Sequence, residues 1–258
     1  MKEFLYFRRR YNFIFMLSIY FIHAFPLNSE MWNEQIKYFS AKARCIAIDL
    51  PGFGGTPHNT ISEKPSMHEY AAYVEKIIQE TRQNENQKLC VVGLSMGGYV
   101  AMYILKRGVI IPDFLVLANT RSQADSDEVK ERRFKIIEEI EKTKSIDPVI
   151  DAYLPALARD NEKLKYEILK MTKLTSPDGA KKALYAMATR EDSTFYVKSF
   201  PGKLLCIASE KDALSPPDVV KSMCRDPKEF KIIPDCGHLS AMEKPEIFNK
   251  ILEEFLEL

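Results

Sequence analysis

The 258-residue chain predicts an α/β protein, a mostly parallel central sheet flanked by helices with a helical segment inserted into it. Three observations carry that expectation. KLCVVGLSMGGYVAMYILKRG passes from an apolar, β-favouring stretch through a glycine-rich turn into helical spacing. Two later apolar runs, 204–208 and 230–233, each end in a loop that carries an acid or a histidine. Between residues 120 and 203 the strand signals stop and helical patterns replace them.

The turn at Gly93-Leu94-Ser95-Met96-Gly97 is the most informative element. Leu89, Val91 and Val92 suit a buried strand, and Tyr99, Met102, Tyr103 and Leu105 recur at helical spacing before Gly108, a plausible stop. A serine on so sharp a turn is pushed into the open, and small flanking residues let strand and helix approach closely enough to make it. Ser95 is therefore the candidate nucleophile, at the C-terminal edge of a sheet. The bland alternative is a glycine-rich turn with an inert serine. Context decides, because a serine nucleophile needs a base and the base needs an orienting acid.

The chain has four histidines, His23, His58, His68 and His238. His238 follows the short apolar run Phe230, Ile232, Ile233 and precedes a helix-like segment over 245–258, so it sits on a post-strand loop where a general base belongs. Asp212 lies in KLLCIASEKDALSPP, in the loop beyond a strand formed by Leu204, Leu205, Cys206, Ile207 and Ala208. Glu210 and Asp235 are rivals for the acid's place. Asp235 stands too close in sequence to reach Nδ1 of His238 easily, and Glu210 leaves the strand slightly early. The order Ser95, Asp212, His238 is the order found in α/β-hydrolases and differs from chymotrypsin-like and subtilisin-like enzymes.

Acyl transfer also needs N–H donors for the oxygen that becomes negative. LSIYFIHAFPLNSEMW supplies a strand ending at Ile22 and then a loop, His23-Ala24-Phe25-Pro26. Here the chain resembles α/β-hydrolases of the small carboxylesterase, enol-lactonase and cofactor-free perhydrolase type. HAFPLNSEMW resembles the family's HG-F-P-x-x-x-x-M-W loop, DLPGFGGT its D-x-x-G-F-G-x-S loop and GLSMGG its elbow. ANTRSQADSDEVKERR resembles the start of its cap, SEKDALSPP its acid loop and CGHLSAMEKPEIFN its histidine loop. The resemblance runs from His23 to Leu258. It implies the α/β-hydrolase fold, Ser95 as nucleophile, His238 as base, Asp212 as orienting acid, and the backbone N–H groups of Phe25 and Met96 as oxyanion donors. Ala24 stands where the family usually has glycine, so the loop backbone is expected to be adjusted. Residues 1–22 must supply what remains of the opening hairpin and its third strand.

The other candidate groups read more plainly. His23 is expected to shape its loop, and His58 and His68 to be solvated. Gly52, Gly54 and Gly55 fit no phosphate-loop spacing and read as a tight turn. A net charge of +1 gives no reason to expect nucleic acid or an acidic surface as partner. The five cysteines show neither disulfide nor zinc spacing; Cys45, Cys90 and Cys206 fall in strands. No metal or organic cofactor is implied, and nothing specifies an oligomeric state. Arg8, Arg9 and Arg10 before an apolar stretch imitate a secretory signal. Cleavage near Ala24 would destroy the oxyanion loop, so a cytoplasmic protein without a membrane partner is expected, with a signal or anchor as the alternative.

Residues 1–120 and 203–258 are expected to form the core and 121–202 a helical cap. Val129, Ile136, Ile137 and Ile140 share a helix face over 126–144, with Glu128–Arg132, Glu131–Lys135 and Glu138–Lys142 spaced as ion pairs. Further helices are expected over 148–158, 162–174 and 177–187. Tyr153, Leu154, Leu157, Met171, Met187 and Phe195 are candidate pocket residues, which favours small to medium apolar substrates. The expected activity is carboxylic ester hydrolysis through an acyl-enzyme. Lactone, thioester or C–C bond hydrolysis by the same triad, or a slow-turnover small-molecule receptor, are the alternatives.

Overall fold

In a computed structural model, which describes residues 16–84 and 86–258, the sequence runs through β1 (Leu17–Ile22), α1 (Asn33–Phe39), β2 (Arg44–Ile48), α2 (Met67–Thr81), β3 (Lys88–Leu94), α3 (Met96–Arg107) and β4 (Phe114–Ala118). Five helices follow: α4 (Asp127–Thr143), α5 (Asp147–Ala158), α6 (Glu162–Thr172), α7 (Pro177–Ala188) and α8 (Thr194–Lys198). The chain then returns through β5 (Lys203–Ser209), α9 (Pro217–Lys221), β6 (Phe230–Ile233), α10 (Ser240–Glu243) and α11 (Pro245–Leu256). The opening hairpin expected over the first residues lies outside the described residues, except for the strand ending at Ile22. Among the described residues, no helix is long and apolar enough to cross a membrane.

The six strands form one sheet in the order β2-β1-β3-β4-β5-β6, and every neighbouring pair is parallel. Parallel strands need crossover helices, so both faces of the sheet become covered. The side chains show this directly. Along β3, Leu89 and Val91 enter one core while Cys90, Val92 and Leu94 enter the other. Tyr20 and Ile22 of β1 join the first core, and Ile19 and Phe21 join the second. Burial on two faces is why these strands are continuous apolar runs rather than alternating ones. The helices α2 and α3 pack on the first face through Tyr70, Val74, Val100 and Ile104. Phe39 of α1 and Phe248 and Leu252 of α11 cover the second.

The order of strands reverses at β1, whose successor β2 lies to one side and β3 to the other. Loops leaving the C-terminal ends of β1 and β3 diverge there, which opens a crevice of the kind where ligands bind in open α/β sheets. Register fixes the height of those ends: Ile22 pairs with Gly93, and Leu94 with Ala118. The loops carrying His23, Ser95, Asn119, Asp212 and His238 therefore leave the same edge of the sheet.

Helices occur where spacing places them, with differences in detail. On α4, Lys135 pairs with Glu131, but Lys142 pairs with Glu139 rather than Glu138, and Arg132 faces a cavity instead of Glu128. The glycine-rich loop after β2 is the tight turn expected, and Gly52 takes φ 93°. A β-carbon there would lie 2.3 Å from the Gly179 Cα, so the turn docks the N-terminal end of α7 backbone against backbone. All five cysteines are free, and Cys45, Cys90 and Cys206 do lie in strands.

Candidate active site

Ser95 links β3 to α3 with φ 55° and ψ −113°, a left-handed-side conformation that a non-glycine residue adopts only when its surroundings enforce it. The enforcement is visible. Ser95 N–H donates to the Ala118 carbonyl at 3.0 Å, and its own carbonyl accepts the Thr120 hydroxyl at 2.8 Å. A β-carbon on Gly97 would lie 2.1 Å from the Ile22 carbonyl oxygen, and one on Gly93 would lie 2.3 Å from that of Gly97. Strand and helix thus cross too closely for any larger residue. Ser95 itself is partly exposed, while Val91 to Leu94 and Met96 to Ala101 are buried. Met96 is the first residue of α3, so its N–H has no intrahelical acceptor and points from the positive end of the helix.

Asp212 is nearly fully buried beyond β5, where its carboxylate is enclosed by donors. Oδ1 accepts N–H bonds from Leu214 at 2.8 Å and Ser215 at 3.0 Å, and Oδ2 accepts one from the Asn119 side chain at 3.0 Å. His238, also buried, places Nδ1 2.9 Å from both carboxylate oxygens. Burial opposes the charged carboxylate, but His238 and the donors from Asn119 and Ser215 outweigh it and hold Asp212 below the usual carboxylate range. With the acid on Nδ1, the imidazole's Nε2 is the atom left for a substrate or nucleophile. The two rival acids point elsewhere. Glu210 accepts the Asp235 N–H at 2.8 Å, and Asp235 pairs with Lys211 at the surface.

Asn119, Ser209 and Ser240 were not singled out by the sequence. Asn119 follows β4 with φ 47°. It donates to Asp212 and to the Ser209 hydroxyl at 2.9 Å, while its oxygen accepts the Ser240 hydroxyl at 2.5 Å. Three post-strand loops are tied together through it. The only hint in the sequence is a polar residue placed directly after the apolar run of β4.

The loop after β1 is braced from several sides. His23 is fully buried; its Nδ1 lies 3.0 Å from the Ala24 carbonyl and its Nε2 accepts the Leu50 N–H at 3.0 Å. These bonds require the neutral tautomer with hydrogen on Nδ1. Burial lowers its pKa to about 4, so His23 shapes the loop as expected. Thr175 donates to the Pro26 carbonyl at 2.9 Å, and Leu27 N–H to that of Ala24 at 2.9 Å. Ala24 is buried without left-handed backbone, so the loop accepts alanine at ordinary dihedral angles. Among the described residues, Phe25 N–H donates to no backbone carbonyl. His58 and His68 are both partly exposed, in keeping with the solvated expectation, and each also has a neighbour. His68 packs edge-on to Tyr103 with ring centres 4.7 Å apart, and His58 lies 3.5 Å from the Ser176 hydroxyl.

Ser95, His238 and Phe25 line one cavity of about 250 Å³. Its far wall comes from the inserted helices: Val129 and Ile136 of α4, Tyr153 and Leu157 of α5, and Met187 of α7. Tyr153, Leu157 and Met187 are thus three of the residues the sequence nominated. Leu154 and Met171 do not line it, and Met171 packs instead with Leu164 and Ile168. Phe195 is largely exposed at the surface. The wall is also less apolar than expected, since Arg121, Asp125, Arg132 and Arg133 contribute to it. Together these groups offer an exposed hydroxyl, an imidazole oriented by a buried carboxylate, and an enclosed space beside them.

Comparisons with known proteins give the family and match the fold. The sequence profile of the alpha/beta hydrolase family matches residues 19–251. A thermophilic esterase from Thermogutta terrifontis, solved with malate bound, superposes with a TM-score of 0.85 at 29% identity, covering 93% of this chain and 89% of that one. The enol-lactonase from Burkholderia xenovorans LB400 gives a TM-score of 0.78 at 19% identity over 94% of this chain and 92% of that one, a likeness of fold. Among curated sequences, the monoacylglycerol lipase ABHD6 of Bos taurus is 22% identical over 93% of this chain and 75% of its own length. Several other curated relatives match over less than half of their own length.

Proposed function

Since the chain belongs to the alpha/beta hydrolase family, we propose that it is a serine hydrolase of carboxylic esters working through an acyl-enzyme. The observation that carries this reading is His238 held at 2.9 Å by buried Asp212 and facing a cavity it shares with strained, partly exposed Ser95. In this reading His238 Nε2 takes the Ser95 proton as Oγ attacks the acyl carbon. Asp212 keeps the proton on Nδ1 and stabilises the imidazolium that forms. The N–H groups of Phe25 and Met96 bind the oxygen that becomes negative, each worth about 10²–10³ in rate. His238 then gives its proton to the departing alcohol and activates water to release the acid.

In this proposal residues 121–202, from after β4 to just before β5, act as a cap, and α4, α5 and α7 are the parts of it that line the cavity. A cavity of about 250 Å³ lies below the ~300–1,000 Å³ usual for drug-sized ligands, which favours a small ester. Hydrolysis of p-nitrophenyl esters from acetate to octanoate tests the proposal. Turnover is expected to peak at short chains and to fall by about 10⁶-fold in Ser95→Ala. Equal turnover by the variant would remove Ser95 from the mechanism.

A further inference from the structure

The charged part of the cavity wall is built, not incidental. Arg133 of α4 is buried; its Nε donates to Asp125 Oδ2 at 2.8 Å and its Nη1 to the Tyr153 hydroxyl at 2.9 Å. Buried Arg190, after α7, reaches the other oxygen of Asp125 at 2.7 Å and lies 4.0 Å over the Tyr99 ring. One carboxylate thus answers two buried guanidinium groups. Arg121 donates through Nη2 to the Leu214 carbonyl, and its buried Nε has no partner among the described residues. Neither Arg121 nor Arg132 pairs with a carboxylate among the described residues, and Asp125 is the sole carboxylate among those lining the cavity. Three arginines therefore face a space with one acid, and that acid is shared with a fourth. Arg121 is half-buried and Arg132 exposed, so solvent bears their charge, and both remain available to form charge-assisted bonds with an anion that enters the cavity. A purely structural clamp accounts for Arg133 and Arg190. It does not account for Arg121 and Arg132 on the same wall.

Resting on the ester-hydrolase reading, we infer that the substrate is a small ester bearing a free carboxylate, held by Arg121, Arg132 and Arg133 while its scissile carbonyl lies at Ser95. Guanidinium groups match a carboxylate's planar geometry and form charge-assisted bonds with it. Val129, Ile136 and Leu157 enclose the short carbon chain between the two ends. Water adds across the acyl–oxygen bond, and the monoanionic ester leaves as an alcohol and a carboxylic acid, one of them carrying the original carboxylate.

The test separates binding from turnover. Ser95→Ala protein is titrated calorimetrically with monomethyl glutarate against dimethyl glutarate, which places the charge on the acyl side. Acetoxyacetate against its methyl ester places it on the alcohol side. One anion of the two pairs is expected to bind about tenfold tighter than its neutral partner. Arg132→Gln, at an exposed position where folding is safe, and Arg121→Gln are each expected to erase most of that advantage. In parallel, kcat/KM of the Ser95 protein is measured on all four compounds. Neutral partners that bind as tightly as both anions, or an advantage that survives both arginine variants, would overturn the inference. Ser95-dependent turnover without anion preference would remove the inference and keep the hydrolase. Anion preference in binding with no turnover of any ester would keep the arginine face and remove the hydrolase.

Discussion

Asp212 carries more of the site than any other single residue, because its carboxylate gathers His238, Asn119 and two backbone N–H groups. Asp212→Asn keeps the side chain's shape but turns one acceptor into a donor facing Nδ1, which favours the wrong imidazole tautomer. The expected result is a folded protein with kcat reduced by roughly 10⁴-fold; a rate within tenfold of the parent would argue that Asp212 does not orient His238. Asn119→Ala should cost less, about 10-fold in kcat, since the two backbone donors to Asp212 remain. Steady-state kinetics on one ester compares both. Ser95, Asp212 and His238 stood out as candidates in the sequence because Ser95 follows an apolar strand directly and the other two lie on short loops just past one. Asn119 and the charged wall did not. Asp125 and Arg190 lie 65 residues apart, in the loops before α4 and after α7, and a charged residue on a loop reads from the sequence as solvated.

At the scale of elements, the elbow between β3 and α3 depends on backbone contact. Gly97→Ala would force a methyl group against the Ile22 carbonyl at 2.1 Å, so helix, strand or both must move. Destabilisation of about 1–3 kcal/mol or more is expected in denaturant unfolding, with activity lost in the fraction that stays folded. A neutral outcome would mean that α3 shifts freely and that Ser95 is not held by this crossing. The elements themselves were readable to the extent that their burial is simple. Strands buried on both faces appear as apolar runs, and α4 shows its stripe. The assignments of Lys142, Arg132 and Phe195 failed because they depend on which neighbour stands opposite, and spacing along one helix does not contain that information.

At the scale of the whole molecule, stability should fall with acid in two stages. The folded protein holds His23 neutral to about pH 4, whereas an unfolded chain protonates it near 6.5. The unfolded state therefore binds the extra proton in that window, and stability present above pH 6.5 declines by roughly 3 kcal/mol as pH falls to about 4. Asp125 acts lower: burial opposes its charge, but Arg133 and Arg190 outweigh it and depress its pKa. Its contribution is present above the ordinary aspartate value of 3.8 and is lost as pH falls through the lower folded value. Urea unfolding from pH 7 to 4 should show the first stage in the parent and a flatter profile in His23→Gln. Equal slopes would mean that His23 protonates without cost.

The central claim is that Ser95 becomes covalently acylated with the help of His238. Reaction with diethyl p-nitrophenyl phosphate, followed by intact mass and peptide mapping, tests it without knowledge of the natural substrate. One diethylphosphoryl group on Ser95, forming far more slowly in His238→Gln and absent in Ser95→Ala, is the expected result. No adduct on the folded parent protein, or an adduct on another residue, would contradict the account.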